Sequence, residues 1–167
     1  MFVHYVLKTF RLVLIVIVGL LFIRSFIVEP GRVNGRSMEP TYYDERIFFV
    51  NKFLLLFSEP ERGQIIQFIE PTSNELFIKR IIGLPGEQVK VQQNKIFLVD
   101  TEGNETVLVE DYLPDNTVTR SATGGAEDYS VIEENEYFVV GDNRKMSHDS
   151  RHFGAVDRSL IQGVVIK

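Results

Sequence analysis

Cysteine does not occur in this 167-residue chain, and histidine occurs only at positions 4, 148 and 152. The first absence removes thiol nucleophiles, disulfide frameworks and thiolate metal sites together. No His-Glu-x-x-His motif is present, so the sequence carries no support for zinc beyond the i,i+4 spacing of His148 and His152. Basic residues are in deficit, 18 against 23 acids for a net charge of −5, which argues against a protein whose main task is to grip phosphate backbones. No helix-turn-helix or RNA-binding signature offsets that deficit, and there is no internal repeat. The hydrophobic fraction of 44% is that of a folded protein, and the length suits one domain with a real core plus a small appendage.

The N-terminus differs in kind from the rest. "LVLIVIVGLLFI" runs uncharged from Arg11 to Arg24, and "SFIV" extends the apolar stretch to Val28. Leu12 to Val28 reaches the lower limit for a spanning helix when Arg24 lifts its guanidinium toward the headgroups. A buried core helix and a cleavable signal peptide are the rival readings. The first would need protein all round it, and the second lacks small residues at A-x-A spacing, since "FIVEPGRV" follows. We therefore expect residues 1–28 to form a cytoplasmic stub followed by an uncleaved, single-pass anchor. Lys8 and Arg11 precede it and Glu29 follows, which places the N-terminus in the cytoplasm and residues 29–167 outside a bacterial plasma membrane. Without Lys8, Arg11 and Arg24 the outer domain keeps 15 basic and 23 acidic residues, a charge of about −8.

That domain reads as mostly strand. "ERIFFVN", "QIIQFIE", "LFIKRII", "QVKVQ", "KIFLV", "TVLV", "EYFVV" and "GVVIK" are short, rich in β-branched and aromatic residues, and separated by turn clusters. Such spacing predicts a β-barrel or sandwich. Gln88 to Val109 reads as a three-strand meander, and residues 115–128, with Gly124 and Gly125, as a polar loop. "FFVNKFLLLF", residues 48–57, is too short for a second span. Its first half reads as a core strand, and Phe53 to Phe57 as an apolar rim that dips into membrane lipid.

Ser37 sits in "NGRSMEPT", between an Asn-Gly turn and Pro40. A serine hydroxyl attacks an amide only when a base takes its proton. His4 lies on the far side of the anchor, and His148 adjoins Asp149 in sequence, an awkward arrangement for a carboxylate that must orient the ring. A triad of Ser37 with His148 or His152 and an Asp stays open at this point. The other base is a lysine kept neutral. Lys79 in "LFIKRIIG" has Phe77 and Ile81 as its own-face neighbours at period 2. To hold a useful neutral fraction near pH 8, its pKa must fall by roughly 2 from about 10.4, equivalent to about 3 kcal/mol of differential solvation. A paired or snorkelling lysine is the ordinary alternative.

Three separated motifs, "SMEPT" at 37–41, "IKRIIGLPGE" at 78–87 and "GDNRKMSHDSRHFG" at 141–154, resemble in order the conserved boxes of bacterial type I signal peptidases. The resemblance covers nearly the whole chain apart from about residues 91–136. It implies a signal-peptidase-like β domain and a membrane-bound serine endopeptidase that removes signal peptides from preproteins with a Ser/Lys dyad, without cofactor or metal. Carried over by position, Ser37 is the nucleophile and Lys79 the general base, and Ser147 orients the lysine. Asp149 and Arg151 form a supporting salt bridge, with Asp142, Asn143 and Arg144 in the same supporting role. Val33, Gly35 and Met38 fall where substrate binds, along an edge segment "GRVNG" suited to pairing with an extended peptide. The family resemblance implies small residues, typically alanine, at the first and third positions before the cut.

Two positions depart from the pattern. Gly35 stands where some members carry a hydroxyl that helps bind the oxyanion, which leaves the Ser37 N–H as the evident donor. Gln64 replaces the usual aspartate after Arg-Gly, and we expect a lost structural hydrogen bond there. A self-cleaving repressor of related fold, or a tethered β domain that only binds a partner, are the alternatives to a signal peptidase.

Overall fold

The computed structural model describes residues 2–26, 28–122 and 128–166. The part of the expected polar loop that contains Gly124 and Gly125, the Arg24 side chain and Ile27 lie outside the described residues. Phe2–Phe26 forms a helix, α1. At 1.5 Å rise per residue it is about 37 Å long, more than the roughly 30 Å hydrocarbon core of a bilayer. Its His4–Leu21 window is long and apolar enough to cross a membrane, and none of that window is buried by the rest of the chain. A core helix would be covered by protein, so the core-helix reading is dropped.

The remainder is mostly β. The strands are β1 (Val28–Arg32), β2 (Ile47–Asn51), β3 (Ile65–Ile69), β4 (Leu76–Gly83), β5 (Gln88–Gln92), β6 (Lys95–Val99), β7 (Glu105–Val107), β8 (Asp128–Val131), β9 (Glu136–Val140), β10 (Val156–Asp157) and β11 (Ile161–Ile166). A short helix, α2, spans Ser150–Phe153. A curled, half-barrel sheet of seven antiparallel strands has the order β1-β2-β11-β3-β4-β9-β10, and a second sheet of four has the order β7-β6-β5-β8. The expected meander is β5-β6-β7, with β8 added on its open side. Every expected strand is present. The reading of the sequence passed over β1, β8 and β10, for physical reasons: "VEPGR" carries Pro and Gly, which only an edge strand tolerates, and β10 is two residues long.

Period-2 alternation in β4 divides the core. Ile81 enters a cluster with Ile66, Phe68 and Val139, and its neighbour Ile82 enters another with Val89, Ile96 and Phe138 between the sheets. A third cluster, Val33, Met38, Tyr42, Phe48, Val50, Ile65 and Val165, lies under the segment that follows β1.

After β2, Asn51 Oδ1 accepts from the Leu54 N–H and starts a 3-10 turn over Phe53–Leu56. Phe53, Leu56 and Phe57 project outward, Phe57 being 74% exposed. Leu55 differs from the expectation: it packs against the main core cluster rather than joining the rim.

Gly83 lies at the register shift between β4 and β9, where the two sheets close on each other. A Cβ there would stand 2.3 Å from Ile132 Cδ1 and 2.7 Å from Val89 Cγ2. Gly83→Ala is expected to lower the free energy of unfolding by about 1–3 kcal/mol through overpacking. A urea denaturation midpoint equal to that of the unaltered chain would show that the sheets can part there without cost.

Candidate active site

The turn that carries the candidate nucleophile is set by its neighbours in sequence. Gly35 has φ +89°, a left-handed conformation that glycine adopts without strain, and its N–H donates to Asp44 Oδ1 at 2.8 Å. A Cβ at Gly35 would meet nothing within 4 Å, so this position needs glycine for its backbone and not for close packing. Met38 and Tyr42 sink into the core below and fix the turn from beneath, and the Tyr42 N–H donates to Met38 O at 2.9 Å. Ser37 is left at the surface of a cleft of about 490 Å³ that runs between residues 29–37 and residues 75–79.

Across that cleft, β4 presents Lys79. Its Nζ lies 2.9 Å from Ser37 Oγ and donates to the Ile78 carbonyl at 3.1 Å. Forty-two residues separate the two side chains in sequence, and the tertiary fold brings them together. Lys79 is 4% exposed, with Ile66 opposite it in the ladder and the Phe77 ring 4.9 Å from Nζ. Burial depresses the amine from its ordinary 10.5 to about 8, while the Asp149 and Asp142 charges act in the opposite direction.

Both of those acids are neutralised by arginines. Asp142 receives Arg80 Nε at 2.9 Å and an Arg80 terminal nitrogen at 2.6 Å, and the Thr41 hydroxyl donates to it at 2.5 Å. Asp149 receives Arg151 through two bonds of 2.8 Å and caps α2 by accepting from the Arg151 N–H. Burial pushes the Asp149 carboxyl up, and Arg151 overcomes that and holds it below the ordinary carboxylate range.

The segment 141–149 grips the Ser37 turn from behind. The Asn143 N–H donates to Ser37 O at 2.9 Å, and the Asn143 side chain donates to Arg36 O at 3.0 Å. A Cβ on Gly141 would stand 2.6 Å from Ser37 O and 2.2 Å from Ser147 Oγ, so the closeness of this grip requires glycine. Arg144 turns away, pairing with Glu110 and donating to Thr119 Oγ1 at 2.5 Å.

Several expectations are modified. Ser147 is buried beside the site, and among the described residues the lysine's hydrogen bonds go to Ser37 and Ile78 rather than to Ser147. Met38 is fully buried in the core and does not line the cleft, because the turn uses it as an anchor; Val33 and Gly35 do line the cleft. Gln64 bonds locally, its Oε1 accepting from the Glu61 N–H at 3.1 Å. His148 and His152 stack on each other at 4.9 Å between ring centroids, and neither hydrogen-bonds Ser37. Among the described residues no group of three or more potential metal ligands occurs.

Sequence reasoning missed the part played by Arg80, Glu110 and Tyr112. Arg80 is buried and paired with Asp142, and its guanidinium lies 3.9 Å from the centroid of the Tyr112 ring. The adjacency of Arg80 to Lys79 in a central strand was the available signal. Glu110 and Tyr112 come from the weakly patterned 91–136 stretch and carry none.

The family model described as "Signal peptidase, peptidase S26" matches residues 6–166. The chain belongs to the signal peptidase family. It is 34% identical to signal peptidase I of Bacillus licheniformis over 92% of this chain and 82% of that protein, and 35% identical to signal peptidase I of Bacillus amyloliquefaciens over 95% and 84%. A crystal structure of a signal peptidase I from Enterococcus faecalis V583 superposes with a TM-score of 0.52 at 32% identity, covering 65% of this chain and 98% of that one. Membership makes the chain a serine peptidase, and the signal peptidase fold accounts for its half-barrel sheet.

A buried lysine whose pKa is depressed costs folding stability while it is protonated. Below about pH 8 both folded and unfolded states hold the proton and the full cost of burial is present; between about 8 and 10.5 the folded amine alone is neutral, so stability rises with pH. Lys79→Met is therefore expected to be more stable than the unaltered chain by up to about 3 kcal/mol at pH 7, with the gap closing toward pH 10. Urea denaturation at pH 7 and pH 10 reads this difference, and a gap that does not change with pH would place the amine in water.

Proposed function

We propose that this signal peptidase removes signal peptides through a Ser37/Lys79 dyad. The observation that carries the reading is the 2.9 Å approach of a dry, pKa-depressed amine to a serine hydroxyl at the edge of a peptide-sized cleft. At pH 8 about half of the molecules hold Lys79 neutral. In that state Nζ accepts the Ser37 proton as Oγ attacks the scissile carbonyl, forming the C–O bond of a tetrahedral intermediate. The Ser37 N–H has no partner among the described residues and is the donor for the oxyanion. The protonated lysine then gives its proton to the leaving amine, and water hydrolyses the ester with Lys79 again as base.

Substrate binds as an extended strand beside residues 31–35, whose outer edge pairs with no other strand among the described residues. Small residues at the first and third positions before the cut, the A-x-A pattern, suit the shallow wall formed by Val33, Gly35 and Ile78. Residues 1–28 are the cytoplasmic stub and single-pass anchor, and 29–167 the catalytic domain outside the plasma membrane, as the flanking charges direct. Lipid is the second partner. The Phe53–Phe57 rim follows the strand paired with β1, and β1 begins where α1 ends, so the rim sits at the mouth of the anchor.

Ser37→Ala and Lys79→Ala are each expected to lose at least about a thousandfold in kcat for a preprotein with an A-x-A site, with folding intact. kcat/KM of the unaltered enzyme should rise with pH to a plateau above about 8. Activity kept in Lys79→Ala and lost in His148→Ala would return the site to a histidine base.

The chain has no tryptophan, so Phe57→Trp reports from the rim alone. In the full chain reconstituted into liposomes, its fluorescence is expected to be quenched by brominated lipid, while Val109→Trp, also exposed, is not. Equal quenching at both positions, or none at Phe57→Trp, would remove the rim from the bilayer.

A further inference from the structure

The floor of the cleft holds a polar group that the proposed chemistry does not use. Gln67 is the central residue of β3 and lines the cleft with Gly31, Val33, Phe48 and Ile78. It lies opposite Ile78 in the β3–β4 ladder, so its side chain shares a face with Ile78 rather than with Lys79, whose ladder partner is Ile66. Gln67 is 7% exposed, and among the described residues its side-chain amide makes no hydrogen bond. An amide offers two N–H donors and a carbonyl acceptor. Neither is engaged by the described residues, and the solvent contact the amide keeps is at the cleft it lines, so a substrate that displaces that water must replace its hydrogen bonds or leave the amide unsatisfied. The amide therefore offers its donors and its acceptor to whatever fills the cleft.

Its place along the cleft follows from strand geometry. Residues 35, 33 and 31 step back from Ser37, and a substrate strand running beside them advances about 3.3 Å per residue, with same-facing side chains about 6.6 Å apart. The first residue before the cut then lies beside Gly35 and Lys79. The third lies beside Val33 and Gly31, over Gln67.

Resting on the reading above, we propose that Gln67 is a specificity-determining residue that selects a small hydroxyl side chain, threonine or serine, at the third position before the scissile bond. The hydroxyl donates to the Gln67 carbonyl oxygen and accepts from its N–H. Valine, which has the shape of threonine without the hydroxyl, fills the same space and leaves the amide unmatched. Alanine leaves room for a water to take the hydroxyl's place.

The test is kcat/KM for peptides that differ only at that position: T-x-A against V-x-A, and S-x-A against A-x-A. The unaltered enzyme is expected to prefer threonine over valine by roughly tenfold, the worth of about one hydrogen bond in a dry site. Gln67→Leu should bring that ratio to one or reverse it, and Gln67→Met serves the same end if the leucine variant does not fold. A threonine-to-valine ratio near one in the unaltered enzyme, or a ratio untouched by either variant, overturns the proposal while leaving the peptidase reading intact. Failure of the unaltered enzyme to cut any of the four peptides, or cutting that survives Ser37→Ala, overturns the peptidase reading itself.

Discussion

The burial of one amine constrains everything else in this molecule. Lys79 is an interior strand residue beside Ile66, Phe77 and Ile81, and among the described residues its nitrogen hydrogen-bonds the Ser37 hydroxyl and a main-chain carbonyl. Two carboxylates stand close enough to pull it back toward the protonated form. Each is clasped by an arginine that is itself buried, Arg80 on Asp142 and Arg151 on Asp149. The charges that would undo the depressed pKa are thus spent locally within ion pairs, and desolvation is left as the dominant effect.

Those ion pairs also hold the backbone. Asp142 ties β4 to the Ser37 turn through Arg80 and Thr41, and Asp149 receives the Gly141 N–H at 3.0 Å. Gly141 and Asn143 meet the Ser37 carbonyl from behind, so the position of the hydroxyl is determined by a segment more than a hundred residues away in sequence. Arg144 and Arg151 reach in turn to Glu110, Thr119 and the Arg120 carbonyl. The stretch between the second and third boxes, which looks least patterned, forms the outer wall of the charge network. Removing one member of such a network leaves its partner buried and uncompensated, which costs far more than the pair contributes when intact.

The path of the chain explains how a small site works on a tethered substrate. α1 leads into β1 with one intervening residue, and β1 is the free edge of the curled sheet that continues into the Ser37 turn. On the proposed reading, anchor, peptide-binding edge and nucleophile are consecutive segments of one run of about 35 residues, too short to carry the cleft far from the lipid surface. The exposed apolar turn after β2 lies on the same side, because β2 is paired with β1 along its whole length.

The sequence by itself determined the elements whose signals are local. α1 was legible because a long apolar run is a local helix signal and the residues flanking it weigh against its rival readings, and β2 to β6 because β-branched and aromatic residues alternate between turns. Ser37, Lys79 and the 141–151 box were legible as a set of motifs in a fixed order. What only the tertiary structure decided are the quantities that depend on residues distant in sequence: the 2.9 Å separation of amine from hydroxyl, the dryness of that contact, the burial of Met38 below the turn and of Gln67 in the floor of the cleft, and the partners of Arg80 and Arg144. A pattern along the chain specifies which face a side chain takes on its own strand. The strand or loop that comes to meet that face is chosen by sheet pairing over the whole fold, and it is this meeting that sets dielectric, distance and protonation.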